Sequence, residues 1–569
     1  MSGNRSVSNG LYRSHEIGRI QKSWRGQFAV ALIYPNTYSI GISNLGFQTV
    51  YRLLNEMDDV ICERFFLPEG DDPVRSLESG RPLRDFDILA FSISFEGDFI
   101  HVLSIFRAAG IPFYSIQRNP PHPLIIAGGV ACFLNPEPIA PLIDLFLLGE
   151  AEELLPEFVA IARDHALSRQ DTLLRLAHEV DGAYVPRYYH LSYGKNGTIQ
   201  SMEARFGIPG QVRRRYVSHV DDFPTESQIL TPDTTFADRY LIETGRGCVH
   251  GCRFCTAGYI YRPPRFRSIE VLENGLRQAS KLTDRVGLVG AAISDLPDLG
   301  RLCQTAYEIG IDLSFSSLRA DCITTELIQF MVKSGVKTAT LAPDAGSERM
   351  RKVINKGITE YHVLQATESL VYNGIPNLKL YFMIGLPTET PDDVDAIIDM
   401  VLKTKAVFLK ASRIRRKIGE ISISINPFIP KAFTPFQWVG MQDVQTLKEK
   451  AGRIVKGLKS ISNVRVTVAN IRDAVVQAMI ARGDRRVSDI LVLAEKHRWN
   501  WARTFKEAEI SHKFFAFRQR KLTETLPWDF ICHGVSSAFL KQEYQKALKA
   551  RQSLPCPIVD CVRCGVCSL

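Results

Sequence analysis

The 569-residue chain has no apolar run long enough to cross a membrane. Its most apolar stretches, Asp87–Ile93 and Leu124–Val130, are strand-length, far short of the about 20 residues a span needs. No basic start followed by an apolar segment opens the sequence, so no signal peptide is expected; the protein should be cytoplasmic with no membrane partner. Repeats and low-complexity tracts are also missing. So is any long block of like charge: the net charge of +9 is spread along the chain, which permits an RNA or acidic partner without demanding one. The longest basic cluster, Arg413, Arg415, Arg416 and Lys417, reads as a solvated helix end. No dedicated nucleic-acid fold is visible, and the aromatics of Lys513–Arg518 read as core packing. What remains is an ordinary globular composition, 45% hydrophobic and 23% charged. At roughly 150 residues per domain the length predicts three or four units.

Cysteine is present but uneven. Seven of the twelve lie in two tight groups, at 248–255 and 556–567; Cys62, Cys132, Cys303, Cys322 and Cys532 are scattered and read as small buried apolar residues. In a reducing compartment such groups are metal ligands rather than disulfides.

The pattern along the chain predicts an α/β protein. Apolar strands at Phe28–Tyr34, Asp87–Ser94, Leu124–Ala127 and Leu145–Leu148 alternate with helical spacing over Gly46–Met57 and Phe99–Ala109, which predicts a doubly wound, Rossmann-like domain over residues 1–185. Residues 186–235 lose that rhythm and read as a linker with short strands. Strands at Tyr240–Thr244, Gly287–Ala292, Leu313–Ser317, Thr338–Ala342, Lys379–Ile384 and Ser422–Asn426 then predict a (β/α)6 partial TIM barrel over 236–430. A mostly helical C-terminal region with a cysteine tail follows over 431–569.

The segment Gly245-Arg-Gly-Cys248-Val-His-Gly-Cys252-Arg-Phe-Cys255 directly follows the first of these six strands. Three thiolates at this spacing can hold three irons of a cubane and leave the fourth open. Structural zinc prefers two paired Cys-x2-Cys units, and no partner pair lies nearby. The motif resembles the radical S-adenosylmethionine (SAM) superfamily. The resemblance implies a 4Fe–4S cluster on Cys248, Cys252 and Cys255, reductive cleavage of SAM to a 5′-deoxyadenosyl radical, and an electron donor such as ferredoxin or flavodoxin. It further implies that Phe254 covers the adenine side, and that the SAM amino group is received after the second strand. There Gly290-Ala-Ala-Ile-Ser294-Asp295 departs from the usual Gly-Gly-Glu loop, leaving backbone groups or Ser294 for the task. The segment Asp344-Ala-Gly346-Ser347-Glu348 is similar to the part that meets the SAM ribose and carboxylate, and Tyr381-Phe-Met-Ile-Gly385 to the strand-five motif that stacks the adenine.

Ahead of such a barrel, Ala127-Gly128-Gly129, Asn135-Pro-Glu137 and Gly149-Glu150-Ala-Glu152 resemble the N-terminal domain of the cobalamin-binding class of this superfamily. The resemblance implies a corrinoid against Gly128, Gly129 and Glu150. It has no histidine ligand, because the Asp-x-His-x-x-Gly motif is absent and Ala131 or Cys132 falls where the family often has histidine. Some relatives keep this domain as a scaffold only. The segments Pro427–Phe436, Arg482–Arg486 and Pro527–Asp529 are similar to the tail of an uncharacterised radical SAM family with the same domain order. Cys556, Cys561, Cys564 and Cys567 form a second ligand set, for an auxiliary 4Fe–4S cluster or structural zinc.

The expected function is a cobalamin-dependent radical SAM enzyme that methylates an unactivated carbon of a peptide, protein, RNA or metabolite. One alternative is radical chemistry without cobalamin, a rearrangement or sulfur insertion using the auxiliary cluster. The other is a non-catalytic iron–sulfur protein that binds RNA. No catalytic acid, base or nucleophile is assigned.

Overall fold

The computed structural model describes residues 15–568 apart from 71, 165, 237, 292, 317, 559 and 560; Ser317, quoted among the strand ends above, lies outside the described residues. The first sheet has five parallel strands, β1 (Phe28–Tyr34), β2 (Val60–Phe66), β3 (Ile88–Ser92), β4 (Leu124–Gly128) and β5 (Leu145–Leu147), with the short antiparallel β6 (Ala183–Tyr184) at one edge. All seven residues of β1 are buried, as expected for a strand covered on both faces. Strand order is β2-β1-β3-β4-β5-β6, so the topology reverses between β1 and β3. A crevice opens outside the carboxyl ends of strands at such a point. Two side-chain contacts tie the loops there: Asn36 Nδ2 donates to Asp98 Oδ1 at 2.7 Å and Asn44 Nδ2 to Ser94 Oγ at 3.1 Å.

β2 was not expected from the sequence, because Cys62-Glu63-Arg64 breaks its apolar pattern. The charges are nevertheless buried and paired. Arg64 bonds Glu16 at 2.7 Å and Glu78 at 2.6 Å, which offsets the cost of taking the guanidinium out of water.

The second half holds parallel strands β7 (Tyr240–Glu243), β8 (Arg285–Val289), β9 (Asp312–Phe315), β10 (Thr338–Asp344), β11 (Asn377–Ile384), β12 (Ile421–Pro427) and β13 (Val464–Val468), with helices between them. The six expected strands are there, but two details correct the expectation. They fall three and three into separate sheets, joined among the described residues by one parallel bridge, Leu318–Leu341. And β13 is a seventh strand, inside the region expected to be mostly helical. Its residues alternate between exposed and half-buried, the pattern of an open edge, and carry no buried apolar run to mark them.

Part of the C-terminal region folds back onto the first sheet, where Met479, Ile480, Val487, Leu491, Trp438 and Trp528 share its hydrophobic core, while helix Val444–Leu458 packs on the second half through Leu447, Ala451, Ile454 and Leu458. Arg485 bonds the fully buried Glu137 at 3.0 Å, and Asn135 Nδ2 donates to Gly483 O at 2.8 Å. The Asn135–Glu137 and Arg482–Arg486 motifs therefore lock these parts of the chain together. Among the described residues no helix is long and apolar enough to cross a membrane.

Candidate active site

The loop carrying Cys248, Cys252 and Cys255 leaves the carboxyl end of β7 and is held by its own backbone. Gly247 has φ +90°, and a Cβ there would lie 2.8 Å from Tyr261 O; a Cβ on Gly258 would lie 2.4 Å from His250 O. Both positions need glycine because backbone closes on backbone. Gly251 O accepts from Tyr259 Oη and from Asn355 Nδ2, each at 3.1 Å. The buried Arg253 donates to Glu543, Lys352 O, Val353 O and Arg551 O. Cys252 is buried, and Cys248 and Cys255 are half-buried.

Burial, and then the neighbouring thiols, push Cys248 up to about 12 and Cys255 up to about 11. Cys252 is also raised by burial, opposed by the Lys356 and Arg319 cations. Three mutually repelling thiols with cations at hand suit a ligand that accepts three thiolates. Among the described residues no three His, Cys, Asp or Glu side chains close on a single metal ion. A cubane takes one thiolate on each of three irons, so its ligands stand apart.

Around this loop the strand ends supply polar groups, some free and some already used. Asp295 Oδ1 lies 2.9 Å from His250 Nε2, while its Oδ2 is buried with no hydrogen-bond partner. The charge of Asp295 also reaches Cys248. The adjacent Ser294 Oγ only meets Arg319 N, at 3.5 Å. Asp344 adopts a left-handed backbone, φ 62°, and accepts from Lys356 Nζ at 2.6 Å beside Cys252. Phe254 is partly buried against the apolar cluster that includes Ala345, Met350, Leu386 and Phe428.

Three expected positions are otherwise engaged. Ser347 caps the helix Glu348–Val353, accepting from Met350 N at 3.0 Å and bonding Asp393 at 2.5 Å. Glu348 is exposed on that helix and accepts from Glu360 N at 3.4 Å. Gly385 N donates to Glu389 Oε2 at 2.7 Å. Just before Ser347, helix Pro391–Arg415 packs so closely on Gly346 that a Cβ there would lie 2.2 Å from Ile397 N.

The two halves of the protein meet at a cavity of about 600 Å³. Its lining includes Asn44, Ser94, Gly128, Gly129 and Glu150 from the first sheet and Glu243, Gly245, Gly247, Ala257 and Gly290 from the second. The expected glycine pair divides in role. A Cβ on Gly128 would meet only Leu147 O, at 3.4 Å, so a side chain there would occupy the cavity. Gly129, φ +98°, is needed for packing, since its Cβ would lie 2.5 Å from Ile93 O. Glu150 is spoken for. It accepts from Arg246 and Arg265 at 2.7 Å and from Val217 N at 3.0 Å, and these partners hold its carboxyl down at about 2 against the cost of burial. It joins the sheets instead of presenting free oxygens to a ligand. The described lining residues include no histidine.

Two family profiles match the chain in this order. Residues 46–186 match radical SAM proteins, N-terminal, and residues 242–401 match the radical SAM superfamily. An uncharacterised protein of Methanocaldococcus jannaschii is 30% identical over 469 residues, 81% of this chain and 90% of that protein. The chain belongs to the radical SAM superfamily. An uncharacterised methyltransferase of Pyrococcus horikoshii is 26% identical over 297 residues, 49% of this chain and 58% of that protein. The solved cobalamin-dependent radical SAM enzyme OxsB with aqua-cobalamin bound is similar with a TM-score of 0.49 and 14% identity, over 92% of this chain and 80% of that one.

The radical SAM loop has one more neighbour, which its motif does not announce. The cysteine tail lies against it: Cys556 N donates to Val249 O at 2.8 Å, and Ser553 N to Asn355 Oδ1 at 2.8 Å. Cys561 and Cys564 are buried and Cys567 is exposed. Burial raises the Cys567 thiol, and Cys564, Cys556 and Cys561 raise it further, so the four thiols are neighbours. Of the scattered cysteines, Cys62, Cys132 and Cys303 are buried as expected. Cys322 and Cys532 are only half-buried, and Cys322 stands near Asp321 and Asp295.

Proposed function

We propose that this radical SAM enzyme methylates an unactivated carbon, with SAM and a corrinoid meeting in the cavity between its two parallel sheets. The observation that carries the reading is that shared cavity. It is walled on one side by the switch-point loops of the first sheet and on the other by the strand ends that adjoin the cysteine loop. Cys248, Cys252 and Cys255 would hold a 4Fe–4S cluster, which when bound would supply the electron for reductive cleavage of SAM. Asn44, Ser94 and Gly128 would lie against a corrinoid, whose chemistry would be methyl donation. The small residues there, among them Ala90, Ala127 and Gly128, let the edge of a flat ring approach the sheet.

The remaining side chains position and exclude. Asp295, not Ser294, receives the SAM ammonium, because its Oδ2 is the buried acceptor left without a partner. Lys356 and Arg319 offset negative charge beside Cys252, and Asp344 keeps Lys356 in place. Phe254 covers the strand-five side and keeps water from it. The Glu150 network holds the two walls together. The Pyrococcus relative's name as a methyltransferase supports the methyl-transfer part of this reading.

A corrinoid titration followed in the visible spectrum tests it. Full-length protein should bind hydroxocobalamin, and Gly128→Val should lose that binding while keeping its iron. Binding that is absent, or indifferent to Gly128→Val, contradicts the corrinoid assignment.

A further inference from the structure

The C-terminal cysteines follow Cys-x4-Cys-x2-Cys-x2-Cys spacing, close to the runs that ligate iron–sulfur clusters. Spacing alone leaves zinc open. The placement of the tail does not treat the two alike. The tail is fastened to the radical SAM loop at successive points. Asn355 joins Gly251 O to Ser553 N, Glu543 joins Arg253 to Ser553 Oγ, and Cys556 N reaches Val249 O, one residue from Cys248. A cavity of about 430 Å³ is lined by Gly251 on the loop and by Cys556 and Cys561 on the tail. Cys556 stands at this contact, and Cys567 at the other end of the ligand set is exposed.

Zinc has no accessible redox change: it could fasten the tail to the loop but could make no use of standing beside another metal centre. An electron carrier needs a short path at one end and solvent at the other. We propose that Cys556, Cys561, Cys564 and Cys567 hold a second iron–sulfur cluster that relays electrons to the first across the Cys556–Val249 contact. One electron passes from a reduced flavin or iron–sulfur donor protein to the tail cluster. The same electron then moves to the cluster on Cys248, Cys252 and Cys255, and no bond or proton changes in either transfer. The relay depends on the radical SAM centre but not on methyl transfer, so either can fail without the other.

The test uses full-length protein reconstituted anaerobically. Wild type should hold about eight irons and eight sulfides per chain, and Cys561→Ser/Cys564→Ser about four, with the remaining cluster still changing its electron paramagnetic resonance signal when SAM is added. The rate of 5′-deoxyadenosine formation is then measured with reduced flavodoxin and with dithionite. In the variant the ratio of the two rates should fall about tenfold or more. Cys567→Ser, at an exposed position, gives the same comparison if the double variant does not assemble. Zinc in place of iron in the wild-type tail, or a rate ratio unchanged in both variants, overturns the proposal.

Discussion

Arg246 Nη1 lies 2.7 Å from Glu150 Oε2, joining the turn after β5 of the first sheet to the residue that opens the cysteine loop of the second. Arg265 bonds the same carboxylate at 2.7 Å, and Arg214 stands 3.6 Å away. The cavity therefore owes its shape to a buried ion network as well as to apolar packing.

Breaking that network should cost stability first. Glu150→Ala leaves buried guanidinium groups unpaired, and losing one partner of a buried ion pair costs about 3–5 kcal/mol. Denaturant unfolding should show this loss in cofactor-free protein. A variant as stable as wild type but weaker in corrinoid binding would make Glu150 a ligand group and not a tie.

The two glycines after β4 should respond differently. Gly128→Val fills the cavity and should weaken corrinoid binding about tenfold or more, with folding retained. Gly129→Val forces a branched side chain into a left-handed backbone against Ile93 O, and should destabilise the fold itself. Visible-spectrum titration and thermal unfolding separate the two effects.

Asp295→Asn keeps the size of the side chain and removes its charge. SAM affinity should fall about 10–100-fold, the worth of a charge-assisted hydrogen bond, while iron content holds. The SAM-dependent change in the cluster's paramagnetic resonance spectrum reads this directly. Ser294→Ala should change it little, and the reverse ranking would return the ammonium to Ser294.

Acid should weaken the protein through His533. Burial, and then the nearby Arg214 charge, push its imidazole down to about 3 from 6.5, and its Nε2 donates to Phe133 O at 2.7 Å. The folded state holds this ring neutral, so its contribution is fully present above about 6.5 and is lost as pH falls toward 3, by about 1.4 kcal/mol per pH unit. Glu150, depressed to about 2, adds loss in the same direction at lower pH. Urea midpoints at pH 7.5, 6 and 5 should fall in wild type and fall less in His533→Gln.

Much of this arrangement was legible in the sequence. Phe28–Tyr34 and Leu124–Ala127 read as buried strands because both faces are apolar. The cysteine loop read as a cluster site because three thiols at fixed spacing have few other uses in a reducing compartment. What the sequence hides has a common cause: a residue's partner lies far along the chain. Glu63 and Arg64 look unlike a strand until Glu16 and Glu78 neutralise the arginine. Glu150 looks like a cofactor ligand until Arg246 and Arg265 are brought to it from about 100 residues away. Ser347 and Glu348 follow a matching motif, but Ser347 is bonded to Asp393 and Glu348 to Glu360 N. Asp295 was present in the quoted loop, and only the geometry distinguishes its free oxygen from Ser294.

The most direct test of the shared cavity is an anaerobic turnover assay. Full-length protein is reconstituted with iron, sulfide and hydroxocobalamin, then given SAM and dithionite. The expected result is retained corrinoid with both 5′-deoxyadenosine and S-adenosylhomocysteine formed. Replacement of Cys248, Cys252 and Cys255 by Ala should abolish the 5′-deoxyadenosine. Formation of 5′-deoxyadenosine with no S-adenosylhomocysteine and no retained corrinoid would contradict methyl transfer in that cavity.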